Sequence, residues 1–181
     1  GEEEVRRHCQ AEWVILRPPG VYGPGDREFL RLFRAVRAHA CPVLGGGRQE
    51  LSLVYVKDLA EIAVACLTHP QAANQTYHVA ADEVVTTRGL AQGIARQMSV
   101  RTVPLPLPLA VLWCVCAGQE LLSKLTRRAS VLDRQKYAEL RAAGWVSATS
   151  KLRQELGLTC ATTLAEGLAH TLGWYRQAGW L

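Results

Sequence analysis

Apolar residues occur along this chain in two patterns, and each pattern predicts a different kind of element. The wholly apolar run Trp13–Leu16 is typical of a parallel strand that is covered on both faces. Residues 51–56 and 75–80 predict two further strands, and residues 101–105 predict a short one. The intervals between these strands are long enough to hold helices.

Helices are predicted where apolar residues recur every three or four positions. In chain order they cover residues 2–10, a start at about Glu28, a start at Asp58, a start at Thr86 or Thr87, residues 108–128, 133–143 and 150–156, and a last helix that begins at Thr163. Asp58 and Glu61 have the spacing of a capping box, and Thr163 and Glu166 repeat that spacing. The residues expected in the core are Phe29, Phe33, Val36, Leu59, Ile62, Cys66, Leu90, Ile94, Met98, Leu164, Leu168 and Leu172.

The order of these elements predicts an α/β fold. Strands alternate with helices up to about residue 105 and helices dominate afterwards, which indicates a parallel sheet with a mainly helical lobe. Residues 17–26 are rich in proline and glycine, so they predict a tight loop without regular structure.

Composition and charge narrow the classes of function. Of the 181 residues, 49% are apolar and 20% are charged, as in a soluble globular protein, and the formal net charge is +5. This charge suits a phosphate-bearing ligand but is too diffuse to indicate nucleic acid. Residues 87–100 resemble the first half of a helix-turn-helix motif, yet Pro104, Pro106 and Pro108 exclude the recognition helix that should follow. We therefore expect no nucleic-acid partner.

The six cysteines predict free thiols. None forms a Cys-x-x-Cys pair, and most occupy apolar positions, which is typical of buried thiols in a reducing cytosol. The acidic segment Gly1–Glu4 stands where a signal peptide would have a basic region. The sequence therefore predicts a cytoplasmic location and no structural metal.

Residues 103–117 form an uncharged, apolar segment. A membrane-spanning helix needs about 20 residues, and this segment is shorter. Prolines also interrupt its first half. We therefore predict no transmembrane segment, and we favour a buried strand, a turn and a core helix. Peripheral contact with a membrane is the alternative.

Four segments carry a resemblance to a known family. They are Ile15–Asp26 (ILRPPGVYGPGD), Leu53–Ala60 (LVYVKDLA), Gln75–Ala80 (QTYHVA) and the ending from Glu166 to Leu181. In this order they resemble the extended short-chain dehydrogenases/reductases of the NAD-dependent epimerase/dehydratase family. Within that family, the sequence resembles the branch that contains 3β-hydroxysteroid dehydrogenases and flavonol reductases.

The resemblance implies the C-terminal part of a Rossmann-type parallel sheet with a substrate-binding lobe. Residues 1–26 and about 51–80 would complete the cofactor domain, and residues 27–50 and about 81–181 would form the interleaved lobe. The family's glycine-rich loop and its Tyr-x-x-x-Lys helix would precede Gly1, so no catalytic residue is assigned in this chain. The parent enzyme, a homodimer, would use NAD or NADP, and we expect the isolated chain to bind neither well.

The resemblance also places residues near the two ligands. The stretch Pro18, Pro19, Gly20 and Val21 would lie beside the nicotinamide, although the same stretch can serve only as a rigid turn out of a strand. Residues just beyond it would face the substrate cleft, with plain core packing as the alternative for Phe29. These residues are Arg27, Phe29 and Leu30.

One departure from the family pattern bears on the substrate. Nucleotide-sugar epimerases of the family pair an Arg with the substrate pyrophosphate, and alignment puts Leu51 at that position. Leucine cannot donate a hydrogen bond to phosphate, and Arg48 lies about 10 Å away along a strand. We assign Arg48 and Leu51 to the substrate side and predict a small apolar alcohol or ketone as the parent's substrate. A noncatalytic binding module and, with less support, a nucleotide-sugar epimerase are the alternatives.

Overall fold

The computed structural model describes residues 1–107, 113 and 144–181. Its helices are α1 (Glu2–His8), α2 (Arg27–Arg37), α3 (Val56–Thr68), α4 (Thr87–Met98), α5 (Ser150–Leu156) and α6 (Leu164–Gln177). Its strands are β1 (Val14–Arg17), β2 (Gly20–Tyr22), β3 (Ala40–Leu44), β4 (Glu50–Tyr55), β5 (Gln75–His78), β6 (Val84–Thr86), β7 (Val103–Leu107) and β8 (Gly144–Trp145). The predicted helices at 108–128 and 133–143, and most of the 103–117 segment, lie outside the described residues.

The chain divides into two compact units. Unit 1 comprises Gly1–Arg31, Leu51–Val85 and Val146–Leu181, and unit 2 comprises Leu32–Glu50 and Thr86–Trp145. The division into a cofactor domain and a substrate lobe stays a prediction, and in the structure residues 146–181 belong to unit 1. The physical reason is packing, because Leu152 and Leu156 of α5 are buried in the core of unit 1.

Parallel strand pairs build unit 1. Strand β1 pairs with β5, from Val14 opposite Gln75 to Arg17 opposite His78, and β2 pairs with β4. The core beside these strands includes Val54, Ile62, Cys66, Tyr77, Val79 and Leu152. These parallel strands and their covering helices confirm the predicted α/β class.

Unit 2 contains a third parallel pair, in which β3 runs beside β7. Helix α4 packs against β3 and buries Leu90 and Ile94, while the second half of α2 buries Phe33 and Val36. The strand expected at 101–105 is observed as β7, and β3 was not predicted. Its sequence, ACPVL, contains a proline and is too short for its alternation to stand out.

Two local predictions are wrong. Gly20–Tyr22 forms β2 instead of irregular loop, since β4 supplies backbone partners that a local pattern cannot show. Helix α3 begins at Val56, so Asp58 lies inside its first turn and does not cap it. The predicted box at Thr163 and Glu166 is confirmed, with both reciprocal hydrogen bonds present.

The cysteines of the described residues are free thiols. Cys41 and Cys66 are buried, Cys160 is half-buried and Cys9 is exposed. In the same part of the chain, no cluster of three acidic, histidine or cysteine side chains could hold a metal ion. None of the described helices combines the length and the apolar character needed to cross a bilayer.

Candidate functional site

The predicted cofactor loop leaves the carboxyl end of β1, the end at which open α/β sheets bind their ligands. Pro18 is exposed there and Pro19 is half-buried, while Gly20 and Val21 have become part of β2. Val79 donates its backbone N–H to the Arg17 carbonyl oxygen at 3.2 Å, which fixes the loop's origin beside the end of β5.

Glycine at position 20 has a packing reason within the protein. A Cβ at Gly20 would lie 2.8 Å from Leu53 Cδ2, so a larger residue here would require the Leu53 side chain to shift. The sequence analysis placed this glycine beside the nicotinamide, and the neighbour observed in the structure is Leu53. The cofactor role of the loop stays a prediction.

An aromatic cluster follows directly after this loop. The Tyr22 ring stacks on Phe29, with centroids 5.4 Å apart, and lies 5.7 Å from the Tyr55 ring. Phe29 is half-buried and Leu30 is buried, so both contribute to packing at this point. Burial raises the pKa of the Tyr22 hydroxyl, and the Asp58 carboxylate raises it further, so this phenol stays protonated at neutral pH.

The C-terminal helix α6 holds the cluster in place. Gly167 of α6 lies against the Tyr22 hydroxyl, where a Cβ would overlap the phenol oxygen. The hydroxyl of buried Tyr175 donates to the Asp26 carbonyl oxygen at 2.5 Å, which ties the loop before α2 to α6. The sequence analysis did not identify these contacts, although its family resemblance included the ending that contains Tyr175.

Arg27 lies at the same end of unit 1. Its guanidinium carbon is 5.8 Å from the centre of the Trp180 ring, within the range of a cation–π interaction. Trp180 packs in turn on Trp174 and Tyr175, with centroids 4.9 Å and 6.0 Å apart. Arg27 is exposed, so its guanidinium is accessible to an anionic group of a ligand.

Asp58 is a buried carboxylate with a defined partner. One carboxylate oxygen accepts the Thr162 hydroxyl at 2.6 Å, and the other accepts the Thr162 backbone N–H at 3.0 Å. The carboxylate thereby joins the first turn of α3 to the segment before α6. Burial raises the pKa of the nearby Cys160 thiol, and the negative charges of Asp58 and Asp82 raise it further, to about 11. Cys160 is therefore not a thiolate nucleophile at neutral pH.

The position at which sugar-nucleotide enzymes would carry a basic residue lies on β4. Leu51 is half-buried there, and the next residue, Ser52, is 2% exposed. The Ser52 hydroxyl accepts the backbone N–H of Ser147 at 3.1 Å and is therefore engaged within unit 1. Arg48 is exposed in unit 2. Neither Leu51 nor Ser52 offers a phosphate a charged partner.

Within the described residues, the loop at Pro18 and Pro19 is the candidate for contact with a dinucleotide cofactor, and that role stays a prediction. Pro18 and Pro19 have no N–H to donate but offer apolar surface and carbonyl oxygens, which suits a nicotinamide ring. The glycine triplet Gly45–Gly47 follows β3, which the sequence analysis had not predicted, yet it leads into β4 and not into a helix. It therefore lacks the strand-to-helix geometry with which Rossmann folds bind a pyrophosphate.

Comparison with known proteins finds a family match within the first 80 residues of the chain. Residues 2–80 match the model of the NAD dependent epimerase/dehydratase family. This stretch contains the loop after β1, the aromatic cluster and all of α3. The family part of the resemblance is thereby supported, while the branch of 3β-hydroxysteroid dehydrogenases and flavonol reductases is not specifically shown.

Curated relatives extend the similarity over the remaining residues. The chain is 32% identical to a ceramide reductase of Caulobacter vibrioides, over 100% of this chain and 56% of that protein. It is also 32% identical to a UDP-glucose 4-epimerase of Vibrio cholerae, over 96% of this chain and 50% of that protein. The chain thus spans about half the length of these curated relatives, whose names point to different substrates.

Solved structures show the same fold. The UDP-glucose 4-epimerase of Thermotoga maritima, solved with UDP-glucose, superposes with a TM-score of 0.68 at 18% identity. The match covers 98% of this chain and 50% of that one. At this identity the match establishes the Rossmann-type fold and carries no information on substrate.

Proposed function

We propose, from the match of residues 2–80 to the NAD dependent epimerase/dehydratase family, that the whole chain is the substrate-side part of an NAD(P)-dependent member. Its substrate is a small apolar alcohol or ketone. The chain's own sequence contains no Tyr-x-x-x-Lys pair, since none of its five tyrosines has a lysine four residues later. The proposal therefore assigns substrate contacts to this chain and leaves the hydride chemistry to residues outside these 181.

The observation that carries the substrate class is the apolar character of β4 at Leu51. A nucleotide sugar brings a pyrophosphate, and an enzyme that binds one needs cationic or N–H donors at that point. The Leu51 side chain has no donor, and the Ser52 hydroxyl is uncharged and only 2% exposed. An apolar substrate requires no such donor and gains from contact with leucine.

The two curated relatives of equal identity correspond to the two alternatives, an apolar substrate and a nucleotide sugar. One is named a ceramide reductase, whose substrate is a lipid, and the other a UDP-glucose 4-epimerase, whose substrate is a nucleotide sugar. Identity alone does not separate them. The leucine at position 51 favours the apolar alternative.

A thermal-shift series on the full chain tests the substrate class. A ligand that binds only the folded state raises the melting temperature as its concentration exceeds Kd. We expect a short-chain ceramide or a hydroxysteroid to stabilise the chain, and UDP-glucose to leave it unchanged. Leu51→Arg should gain a response to UDP-glucose, while the matched variant Leu51→Met should behave as the wild type. Stabilisation of the wild type by UDP or dTDP sugars alone would overturn the proposal.

The alternative function, a noncatalytic binding module, rests on the absent Tyr-x-x-x-Lys pair. It differs from the proposal in one measurable respect. A module that has only an interaction role should bind neither the apolar alcohols nor the nucleotide sugars, with or without NADH or NADPH present. Absence of every thermal shift in the same series would favour this alternative.

A further inference from the structure

The two units differ sharply in charge. Unit 2 contains twelve Lys and Arg against four Asp and Glu, a formal net charge of +8. Unit 1 contains nine Lys and Arg against twelve Asp and Glu, a net charge of −3. The modest total of +5 therefore conceals one strongly basic unit, and a basic unit attracts anionic partners.

Ion pairing follows the same division. Seven of the nine basic side chains of unit 1 form ion pairs with acidic ones. In unit 2, by contrast, five arginines form no ion pair with any described residue: Arg37, Arg48, Arg88, Arg96 and Arg101. Their charge is not neutralised within the described part of the protein and is available to a ligand.

Two of these arginines lie next to each other, shortly before exposed apolar residues of the chain. Arg96 and Arg101 line the same shallow depression at the end of α4. Arg101 leads directly into β7, where Val103 is 70% exposed and Leu105 is 52% exposed. We call these four residues the basic–apolar patch. Large exposed apolar side chains that adjoin arginines are typical of surfaces that bind another phase or molecule.

The edge of β7 that points away from β3 has no strand paired with it among the described residues, and it is unsuited to strand addition by another protein. Val103 donates its backbone N–H to the His39 carbonyl oxygen at 2.8 Å. The backbone N–H and C=O groups of the odd-numbered residues of β7 therefore point toward β3. Alternate residues of a strand point their N–H groups to opposite sides, and on the other side stand Pro104 and Pro106, which have none. This edge therefore lacks the donors that a pairing strand needs.

We propose that unit 2 binds the surface of an anionic lipid bilayer through the basic–apolar patch. Arg96 and Arg101 contact lipid phosphates and acidic headgroups, while Val103 and Leu105 enter the interfacial layer. The 103–117 segment has no charged residue, and its Trp113 is 49% exposed, which suits a ring that lies at headgroup depth. The binding does not depend on the reaction proposed above.

A bilayer fits these observations better than a nucleic acid does. Nucleic acid would use the arginines but gain nothing from exposed valine and leucine, because phosphate contacts dominate its affinity. Apolar insertion and electrostatic attraction act together on an anionic membrane, and neither alone gives stable attachment. The patch supplies both.

Flotation of the full chain with vesicles tests the proposal. We expect the chain to float with vesicles that contain phosphatidylcholine and phosphatidylserine, and to remain unbound with phosphatidylcholine alone. Binding should weaken as salt rises, because the Debye length falls from about 10 Å at 0.1 M to about 3 Å at 1 M ionic strength. Heparin and a DNA duplex serve as polyanions without an apolar phase.

Variants assign the binding to the patch. The double change Arg96→Gln with Arg101→Gln should lower the partition coefficient about 25-fold, at about fivefold for each basic residue near an anionic surface. The matched control, Arg7→Gln with Arg176→Gln, removes the same charge from exposed positions of unit 1 and should leave binding unchanged. Val103→Ser with Leu105→Ser should lower vesicle binding but not heparin binding, and a circular dichroism spectrum verifies its fold.

Three outcomes would overturn the proposal. The first is a chain that binds no vesicle, and the second is equal binding to neutral and acidic vesicles. The third is binding to heparin or DNA that exceeds binding to acidic vesicles and is unaffected by the serine substitutions, which would assign unit 2 to a nucleic acid or another polyanion. If the serine variant fails to fold, the arginine pair, its unit 1 control and the salt series still decide.

Discussion

At the residue scale, the contact between Gly167 and Tyr22 couples α6 to the aromatic cluster. Alanine normally stabilises a helix interior relative to glycine by roughly 0.5–1 kcal/mol. At position 167 an added methyl group would overlap the Tyr22 hydroxyl, and overpacking of a core costs about 1–3 kcal/mol. The second effect is larger, so we expect Gly167→Ala to lower the free energy of unfolding, measured by urea denaturation.

Gly173 provides the matched control within the same helix. Nothing lies within 4 Å of the position that its Cβ would take. Gly173→Ala should therefore raise the free energy of unfolding by roughly 0.5–1 kcal/mol through helix propensity alone. If both alanine variants stabilise the protein, the described contact between Gly167 and Tyr22 is wrong.

The buried carboxylate of Asp58 supports a second prediction. Asp58→Ala leaves the N–H and hydroxyl groups of Thr162 without their acceptor, and hydrogen bonds to charged groups contribute about 1.5–3 kcal/mol. We expect unfolding free energy to fall by about 2 kcal/mol or more, and Asp58→Asn, which keeps one oxygen, to lose less. Asp82→Ala, which removes an exposed ion pair with Arg153, should cost less than about 1 kcal/mol. Equal losses for Asp58→Ala and Asp82→Ala would contradict this account.

At the element scale, the capping box of α6 should make the stability of the protein depend on pH in the acid range. The Thr163 hydroxyl and N–H both donate to the Glu166 carboxylate, at 2.6 Å and 2.9 Å, and these bonds lower the pKa of Glu166 below its ordinary value of 4.5. Its stabilising effect is therefore fully present above pH 4.5 and is lost as the pH falls through the folded-state pKa. Glu166→Gln should flatten the pH dependence of the melting temperature below pH 4.5. A profile as steep as that of the wild type would refute the assignment.

The hydroxyl side of the box gives a prediction of its own. Thr163→Ala removes the acceptor for the Glu166 N–H, and loss of an N-cap costs about 1 kcal/mol. Thr159→Ala changes an exposed threonine outside the helix and should be neutral within about 0.5 kcal/mol. Thermal denaturation of both variants measures the difference, and an equal effect of the two would rule out the cap.

Elements that depend on nearby residues in the chain were predicted from the sequence better than elements that depend on distant ones. The bounds of α5, ended by Gly157 at φ 66°, and the capping box of α6 depend on neighbours within four residues, and both were predicted. Strands β2 and β3 depend on partners more than 30 residues away in the chain, and neither was predicted. The ends of β4 and β5 were found to within two residues, because their residues alternate or share a family pattern.

The candidate site divides in the same way. The loop after β1 was predicted from local proline and glycine content and from resemblance. The roles of Asp58, Gly167 and Tyr175 were missed, because each depends on a partner that the fold brings from more than 100 residues away. A spacing rule assigned Asp58 to a cap, and the tertiary contact with Thr162 gives the carboxylate a different role.

At the scale of the whole molecule, the proposed function predicts no turnover by these 181 residues alone. Proton transfer in this family needs a Tyr whose pKa a Lys lowers, and the residue four positions after Tyr137 is Arg141, which does not titrate near neutral pH. We expect no change in NADH or NADPH absorbance with any alcohol or ketone. Turnover by the purified chain that Tyr137→Phe abolishes would contradict this expectation.

Strand β1 makes a further prediction about the chain in solution. It pairs with β5 on one side, and within the described residues no strand pairs with its other side. The Arg17 carbonyl oxygen accepts the Val79 N–H, so the backbone N–H and C=O groups of the odd-numbered residues of β1 point toward β5. The N–H groups of Val14 and Leu16 therefore point to the free edge. Apolar edges of this kind pair with other chains. We therefore expect concentration-dependent self-association by size exclusion.

Hydrogen exchange and a proline pair test the edge directly. In dilute solution the amide of Ile15 should be protected and those of Val14 and Leu16 should exchange quickly, with protection of the latter two rising as the chain associates. Val14→Pro blocks the free edge at the first residue of β1, where proline is tolerated, and should shift the chain toward monomer with little loss of stability. Ile15→Pro removes an N–H that the register directs at β5 and should destabilise unit 1. A monomer at every concentration, with uniform protection from Val14 to Leu16, would mean that this edge is covered, and the association predicted here would be wrong.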